Sequence, residues 1–190
     1  MKHSRHEWPV VPASLLIAAG ALATFQAPHA IAAQYMSAEQ AQKTAFPDAD
    51  RFDVRPLRLT PEQLRTLDGV APVRQRGELR QILAYAGPRL LGTLYVDDVI
   101  GKVEWITYAL AINPDGSVRS LDILEYRETH GFEVRTASWR KQFVGHRSDT
   151  PLHFGDDIKN ISGATLSCAH LTAGVQRLLK LHAQLASAER

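Results

Sequence analysis

The spacing of apolar and polar residues changes character along the chain. Residues 10–25 form a nearly unbroken apolar run behind Lys2 and Arg5. Two capping-box signatures follow, Ser37 with Gln40 and Thr60-Pro61 with Gln63, and each predicts the start of a short helix. Between them residues 46–56 are polar and carry proline and aspartate, which reads as a connection, and residues 68–78 read as a second linker. The period then shortens to that of strands, expected at 81–85, 93–96, 105–112 and 118–124. Asn113-Pro114-Asp115-Gly116 is a strong turn sequence that joins the last two as an antiparallel hairpin. Within it Leu110 and Ile112 alternate with Ala109 and Ala111, and Leu121 and Ile123 with Ser120 and Asp122. One face of the hairpin should therefore be buried and the other wetter. A helix is expected over 134–144. A longer one is expected from Leu166 to about His182, where Leu166, Ala169, Ala173, Val175, Leu178 and Leu179 recur at helical spacing. The sum is an α+β domain: a mainly antiparallel sheet, helices packed on it, and a C-terminal helix.

The 10–25 run is about 16 residues long and contains Pro12 and Gly20, short of the ~20 apolar residues that a membrane span needs. Together with the small residues Ala30-Ile31-Ala32-Ala33 it has the layout of a secretory signal peptide with an A-x-A-like cleavage site. The mature chain is expected to start near Ala33 or Gln34 and to be periplasmic; a retained N-terminal membrane anchor is the alternative. The expected organisation is a signal peptide at 1–33, a helical lead-in at 34–78 and the main domain at 79–190. Residues 1–33 hold two of the 22 Lys+Arg and one of the 20 Asp+Glu, which leaves 20 against 19. With that balance and no basic stripe, nucleic acid is not an expected partner. The single cysteine, Cys168, excludes an internal disulfide and the paired-cysteine motifs of haem or iron–sulfur sites. It is expected as a small core residue, although a helix N-terminus can lower a thiol pKa. No two histidines stand at the i, i+4 spacing of a helical metal site. Asp97-Asp98 and Asp156-Asp157 are assigned no catalysis, and Trp139 and Phe143 are read as core.

Candidate chemistry collects where the last helix begins. Ile161-Ser162-Gly163-Ala164-Thr165-Leu166-Ser167 is a small-residue loop leading into that helix, where backbone N–H groups and the positive end of the helix dipole face an anion. Taken alone, this is a generic anion site, or simply a helix capped by Ser162 or Thr165. The order Ser162-Gly163-Ala164-Thr165, then Leu166-Ser167, resembles the attachment motif of the FMN-binding domain family, whose members include components of the sodium-translocating NADH:quinone oxidoreductase and of the Rnf complex. Glu128-Thr129-His130-Gly131, followed by Trp139 and Gln142-Phe143, is similar to the family's E-T-P-G element and W-x-x-Q-F segment. The stretches stand in family order and span roughly residues 92–182. Two positions depart from the pattern. His130 stands where the family usually has proline, and Lys159 stands where many members place an aspartate, with Asp156 and Asp157 nearby.

The resemblance implies FMN joined to Thr165 by a phosphoester, with Ser162, Gly163, Ala164 and Ser167 shaping the phosphate loop. Glu128, Thr129 and Gly131 are then the candidates to touch the isoalloxazine ring or ribityl chain. The resemblance also implies a maturation partner, a flavin transferase using FAD and Mg²⁺, because a threonine hydroxyl without a neighbouring base is a poor nucleophile. The function implied is extracytoplasmic electron transfer between membrane-bound or periplasmic redox partners. Two other readings stay open: a reductase-type enzyme with non-covalent FMN, and a cofactor-free accessory protein. The chain lacks the G-x-G-x-x-G fingerprint of a dinucleotide site, which favours the carrier over the enzyme.

Overall fold

The Asn113 turn closes as its sequence dictates. In the computed structural model, which describes residues 33–61, 63 and 79–188, Ser117 N–H donates to Asp115 Oδ1 at 3.0 Å and Asn113 N–H donates to Ser117 C=O at 2.8 Å. Gly116 takes the left-handed φ of +84° that the turn needs. The turn joins β5 (Trp105–Ile112) to β6 (Val118–Tyr126) within a six-stranded sheet. The other strands are β1 (Ala33–Gln34), β2 (Arg51–Leu57), β3 (Leu79–Ala86) and β4 (Arg89–Ile100). Their order is β1-β6-β5-β4-β3-β2, and every neighbouring pair is antiparallel. This is the α+β domain expected, with strands longer than the alternation alone marked.

Both faces of the sheet are covered. The C-terminal helix, α3 (Thr165–Ala188), lies along β4 and runs opposite to it. His170 bonds Ile100 C=O, Gly174 sits against Val99 and Tyr108, Arg177 pairs with Asp97, and His182 bonds Tyr95. Beneath α3 lies the larger core, with Tyr108, Leu110, Leu121, Val175 and Leu178 fully buried. On the other face α1 (Ala38–Ala45) brings Ala41, Ala45 and Phe46 onto Ala109, Ala111, Val96 and Leu124. The wetter face expected for the hairpin is therefore a second core. Ala109 and Ala111 are small because a helix packs closely there, not because water reaches them. Asp122 on that strand is buried too, paired with Arg140.

The lead-in is helical only in part. Ser37 and Gln40 form the capping box of α1, with Ser37 N–H to Gln40 Oε1 at 2.8 Å and Gln40 N–H to Ser37 Oγ at 3.2 Å. Thr60 and Gln63 form the same pair of bonds, at 2.8 and 3.2 Å. Residues 46–56, expected as a connection, instead contain most of β2, which pairs with β3 at the edge of the sheet. Pro56 is tolerated there because an edge strand has one side without ladder partners. The expected linker at 68–78 and the expected signal peptide, bar Ala33, lie outside the described residues. The helix expected over 134–144 is broken into a 3₁₀ turn (Phe132–Arg135), a single turn α2 (Ala137–Arg140) and a second 3₁₀ turn (Lys141–Phe143). Trp139 and Phe143 are core as expected, their rings 5.1 Å apart edge to face.

Two register shifts in the β5–β6 ladder leave Arg119 and Leu124 as bulged residues. The second matters for the site. It turns Leu124 toward α1 and delivers Tyr126, two residues on, to the face where α3 begins.

Candidate functional site

Helix α3 begins without a side-chain cap from either residue expected to supply one. Its first helical residue is Thr165, and Cys168 N–H bonds Ala164 C=O at 2.9 Å, so Ala164 holds the cap position. Alanine is a poor cap, about 1 kcal/mol worse than serine or threonine. Thr165 Oγ1 accepts instead from Asn160 Nδ2 at 3.2 Å, a contact that no sequence motif announced. The N–H groups of Thr165, Leu166 and Ser167 precede the first acceptor inside the helix and are left for an outside acceptor. Ser162, Gly163 and Thr165 are exposed, and Gly163 has φ +83° with nothing within 4 Å of the place where a Cβ would stand. An open turn, free donors and an exposed hydroxyl at a positive helix end fit a phosphate monoester or diester.

The two motif segments meet at this point. Gly131, in the left-handed region at φ +84°, leaves so little room that a Cβ there would lie 2.6 Å from both Ala164 Cβ and Tyr126 Oη. Tyr126 donates to His130 C=O at 2.6 Å, and its hydroxyl stands 3.4 Å from Ser167 Oγ. Burial pushes the Tyr126 phenol above its ordinary range, so it remains a neutral donor. Ser167 is thereby a buried strut between β6 and α3, while Thr165 faces solvent. Where the family usually has proline, the His130 ring nitrogen Nδ1 is 2.8 Å from Thr129 Oγ1, and the Tyr126 hydroxyl holds the His130 carbonyl. The turn is fixed by side-chain bonds in place of a proline ring.

Glu128 has a structural task that its motif does not reveal. Its Oε1 accepts from Val103 N–H at 2.6 Å and Glu104 N–H at 3.0 Å, and Gly101 is bare where a Cβ would lie 2.5 Å from that oxygen. One carboxylate oxygen therefore holds the turn between β4 and β5 against the Thr129 loop. The Trp139 segment latches the attachment loop from the other side. Trp139 Nε1 donates to Lys159 C=O at 2.8 Å, and Lys159 N–H donates to Gln142 Oε1 at 3.0 Å. Both bonds use the backbone of residue 159, so a lysine side chain is tolerated there. Asp157 does not point its carboxylate at the loop: it accepts from His153 N–H at 2.7 Å, and that backbone bond holds its carboxyl below the usual range. Leu166, counted on the apolar face of the helix, is 46% exposed next to Thr165. Cys168 is in the core, and burial pushes its thiol up despite the helix end. Among the described residues no group of His, Cys, Asp and Glu could hold a metal ion.

Two results should follow from these contacts. Gly131→Ala forces a methyl group into the Ala164 contact at a φ that L-residues avoid, and should cost roughly 1–3 kcal/mol. Its thermal unfolding should shift down and its loading with flavin should fall sharply, whereas Gly116→Ala, at an equally positive φ but in open space, should lose stability alone. Gln142→Ala leaves Lys159 N–H without its side-chain acceptor, at a cost of about 1 kcal/mol. Tryptic cleavage after Lys159 in the native protein should accelerate several-fold; an unchanged rate would mean that Gln142 does not hold the loop.

A phosphate-bearing cofactor is the class of ligand that such a loop and turn define, and the family comparison names it. Residues 101–180 match the family model of the FMN-binding domain, from the turn held by Glu128 through most of α3. The chain carries a domain of that family and is a flavin-binding protein, with FMN as its cofactor. No curated protein gives a significant match to the chain.

Proposed function

We propose that this protein is an extracytoplasmic electron-transfer flavoprotein that carries FMN as a phosphoester on Thr165. The observation that carries the proposal is the start of α3: an exposed Thr165 hydroxyl beside unpaired helix donors, abutting the Gly131 turn through Ala164. Thr165 Oγ1 attacks the FMN phosphorus of FAD on a flavin transferase. The new O–P bond replaces the pyrophosphate bond, AMP leaves, and the hydroxyl proton passes to the transferase or to water. In the loaded protein the N–H groups of Thr165, Leu166 and Ser167 hold the phosphate charge. Tyr126 and Ser167 fix the distance between the two loops. Bound there, the flavin would supply the electron-accepting and electron-donating chemistry, and this chain's part would be to orient the ring and set its exposure. The 1–33 segment supports export, and the absence of a dinucleotide fingerprint supports a carrier that depends on redox partners.

Expression with and without a flavin transferase, followed by a denaturing gel viewed by fluorescence, tests the proposal. A fluorescent band is expected only with the transferase. Flavin that purifies with the native protein and leaves on denaturation would favour non-covalent FMN, and no flavin under either condition would favour an accessory protein. The loaded protein alone should not oxidise a nicotinamide cofactor at an enzymatic rate of about 1 s⁻¹ or more.

A further inference from the structure

His182 lies seventeen residues along α3 from Thr165, about 25 Å away, and there helix and sheet part around a cavity of about 250 Å³ that it lines. That is below the ~300–1,000 Å³ of pockets for drug-sized ligands, so an occupant must be small. The floor is the outer part of the sheet. Arg55 on β2 stands opposite Gln81 on β3, and Leu83 on β3 opposite Thr93 on β4, so the four side chains share the face that α3 covers. The irregularity beside Tyr85 extends this face: Leu91 goes unpaired and packs with the α1 core, and Leu90 takes the position opposite Tyr85. Leu185 and Ala186 roof the cavity from the last turn of α3. One wall is fixed by its own bonds, with Gln81 Nε2 donating to Tyr95 Oη at 3.2 Å and that hydroxyl 3.0 Å from His182 Nδ1.

Two polar groups that line the cavity have no partner among the described residues. Thr93 is 2% exposed, yet its hydroxyl bonds to none of them, where a buried hydroxyl ordinarily finds a partner. The Arg55 guanidinium pairs with none of their carboxylates; the neighbouring Asp53 is taken by Arg51 at 3.1 Å. Two strand spacings and an offset of two residues separate Arg55 from Thr93, about 12 Å between Cα atoms. The long Arg55 side chain spans part of that gap and leaves the width of one ring, over Leu83 and beside Tyr85 and Leu90. We propose that this cavity is a second binding site, for a small aromatic acid with a hydroxyl opposite its carboxylate. Arg55 meets the carboxylate with its fork of parallel N–H groups. Thr93 pairs with the hydroxyl, and the ring lies on the apolar surface between them. Because α3 lies over β4, its electronegative last turn is on the Thr93 side, where it favours a hydroxyl over a carboxylate.

Heteronuclear NMR of the purified protein, titrated with para-hydroxybenzoate, tests the assignment. Shifts should centre on the residues that line the cavity and saturate with a Kd on the order of 1 mM or tighter. Benzoate, which lacks the hydroxyl, and para-hydroxybenzamide, which lacks the charge, should each bind several-fold more weakly. The variants should match the two ends of the ligand. Thr93→Val should weaken para-hydroxybenzoate several-fold and leave benzoate unchanged. Arg55→Gln should weaken both acids about tenfold and leave the amide unchanged. Arg80→Gln removes a charge from the opposite face of β3 and should change nothing. The flavin has no part in this site, so Thr165→Ala should bind as the native chain does, whatever becomes of the flavin assignment. Shifts that do not saturate, or that centre elsewhere, overturn the proposal. So does Thr93→Val weakening benzoate equally, Arg55→Gln weakening the amide equally, or Arg80→Gln matching the effect of Arg55→Gln.

Discussion

Thr165→Ala should carry no covalent flavin and should fold almost as well as the native chain. The tryptic fragment 160–177 contains four hydroxyls, and the structure separates them. Ser167 and Thr172 are buried, the latter bonded to Cys168 C=O at 2.7 Å, so neither can meet a second enzyme. Ser162 and Thr165 are exposed, and Thr165 alone stands at the first helical position with the free donors around it. Removing its hydroxyl forfeits one exposed bond to Asn160, within about 1 kcal/mol. Because Ala164 holds the cap position, no capping bond is lost. Mass spectrometry of the fragment after co-expression with the transferase should show FMN less water in the native chain, some in Thr165→Ser, and none in Thr165→Ala. Ser162→Ala should weaken loading by taking an exposed hydroxyl from beside the phosphate position, and Ser167→Ala by removing a strut against Tyr126. An adduct on Ser162, or one that persists in Thr165→Ala, would assign the attachment elsewhere.

The parts of this site that are legible in the sequence are local ones. The capping boxes, the Asn113 turn and the small-residue loop each act within a few residues, so their meaning survives without the fold. The two motif segments can be matched to a family, but not to each other: Gly131 is 33 positions from Ala164 and only the bulge in β6 explains why they touch. Trp139 and Gln142 look like core and motif, and their work on the Lys159 backbone needs a loop returning from 20 residues away. Strand β2 escapes a reading of periodicity because Arg51–Leu57 has no clean alternation and contains a proline, both of which an edge strand tolerates. The alanines of β5 mislead for a related reason. Small size carries no sign of whether a helix or water lies opposite, and α1 comes from a different part of the chain.

The ion pair under α3 is the least legible feature, and its disruption should be the most damaging to stability. Arg177 is 3% exposed and pairs with Asp97, 80 residues earlier, whose carboxylate also accepts from Tyr108 Oη at 2.8 Å. Gly174 makes this possible, since a Cβ there would lie 2.6 Å from Tyr108 Oη. Burial raises the Tyr108 phenol well above its ordinary range, with Asp97 adding to the effect, so the hydroxyl stays protonated and donating. Burial alone would lower the Arg177 pKa, yet beside the Asp97 carboxylate it is held above its ordinary value, so the guanidinium stays charged. Asp97→Ala therefore takes the shared anion from a buried cation and a buried donor together. Removing one partner of such a pair costs about 3–5 kcal/mol, which for a domain of this size lowers the melting temperature by roughly 10 °C. Asp97→Asn keeps an acceptor for Tyr108 but no charge, and should fall between. The double variant Asp97→Leu with Arg177→Met removes the buried charge and should recover part of the loss, because the desolvation cost disappears along with the attraction. Arg177 lies twelve residues along α3 from Thr165, about 18 Å away. Flavin per folded molecule should thus be unchanged in all three variants. Thermal unfolding followed by circular dichroism, with flavin content measured on the same samples, checks both statements; a double variant less stable than Asp97→Ala would show that the pair contributes more than the relief of its own burial.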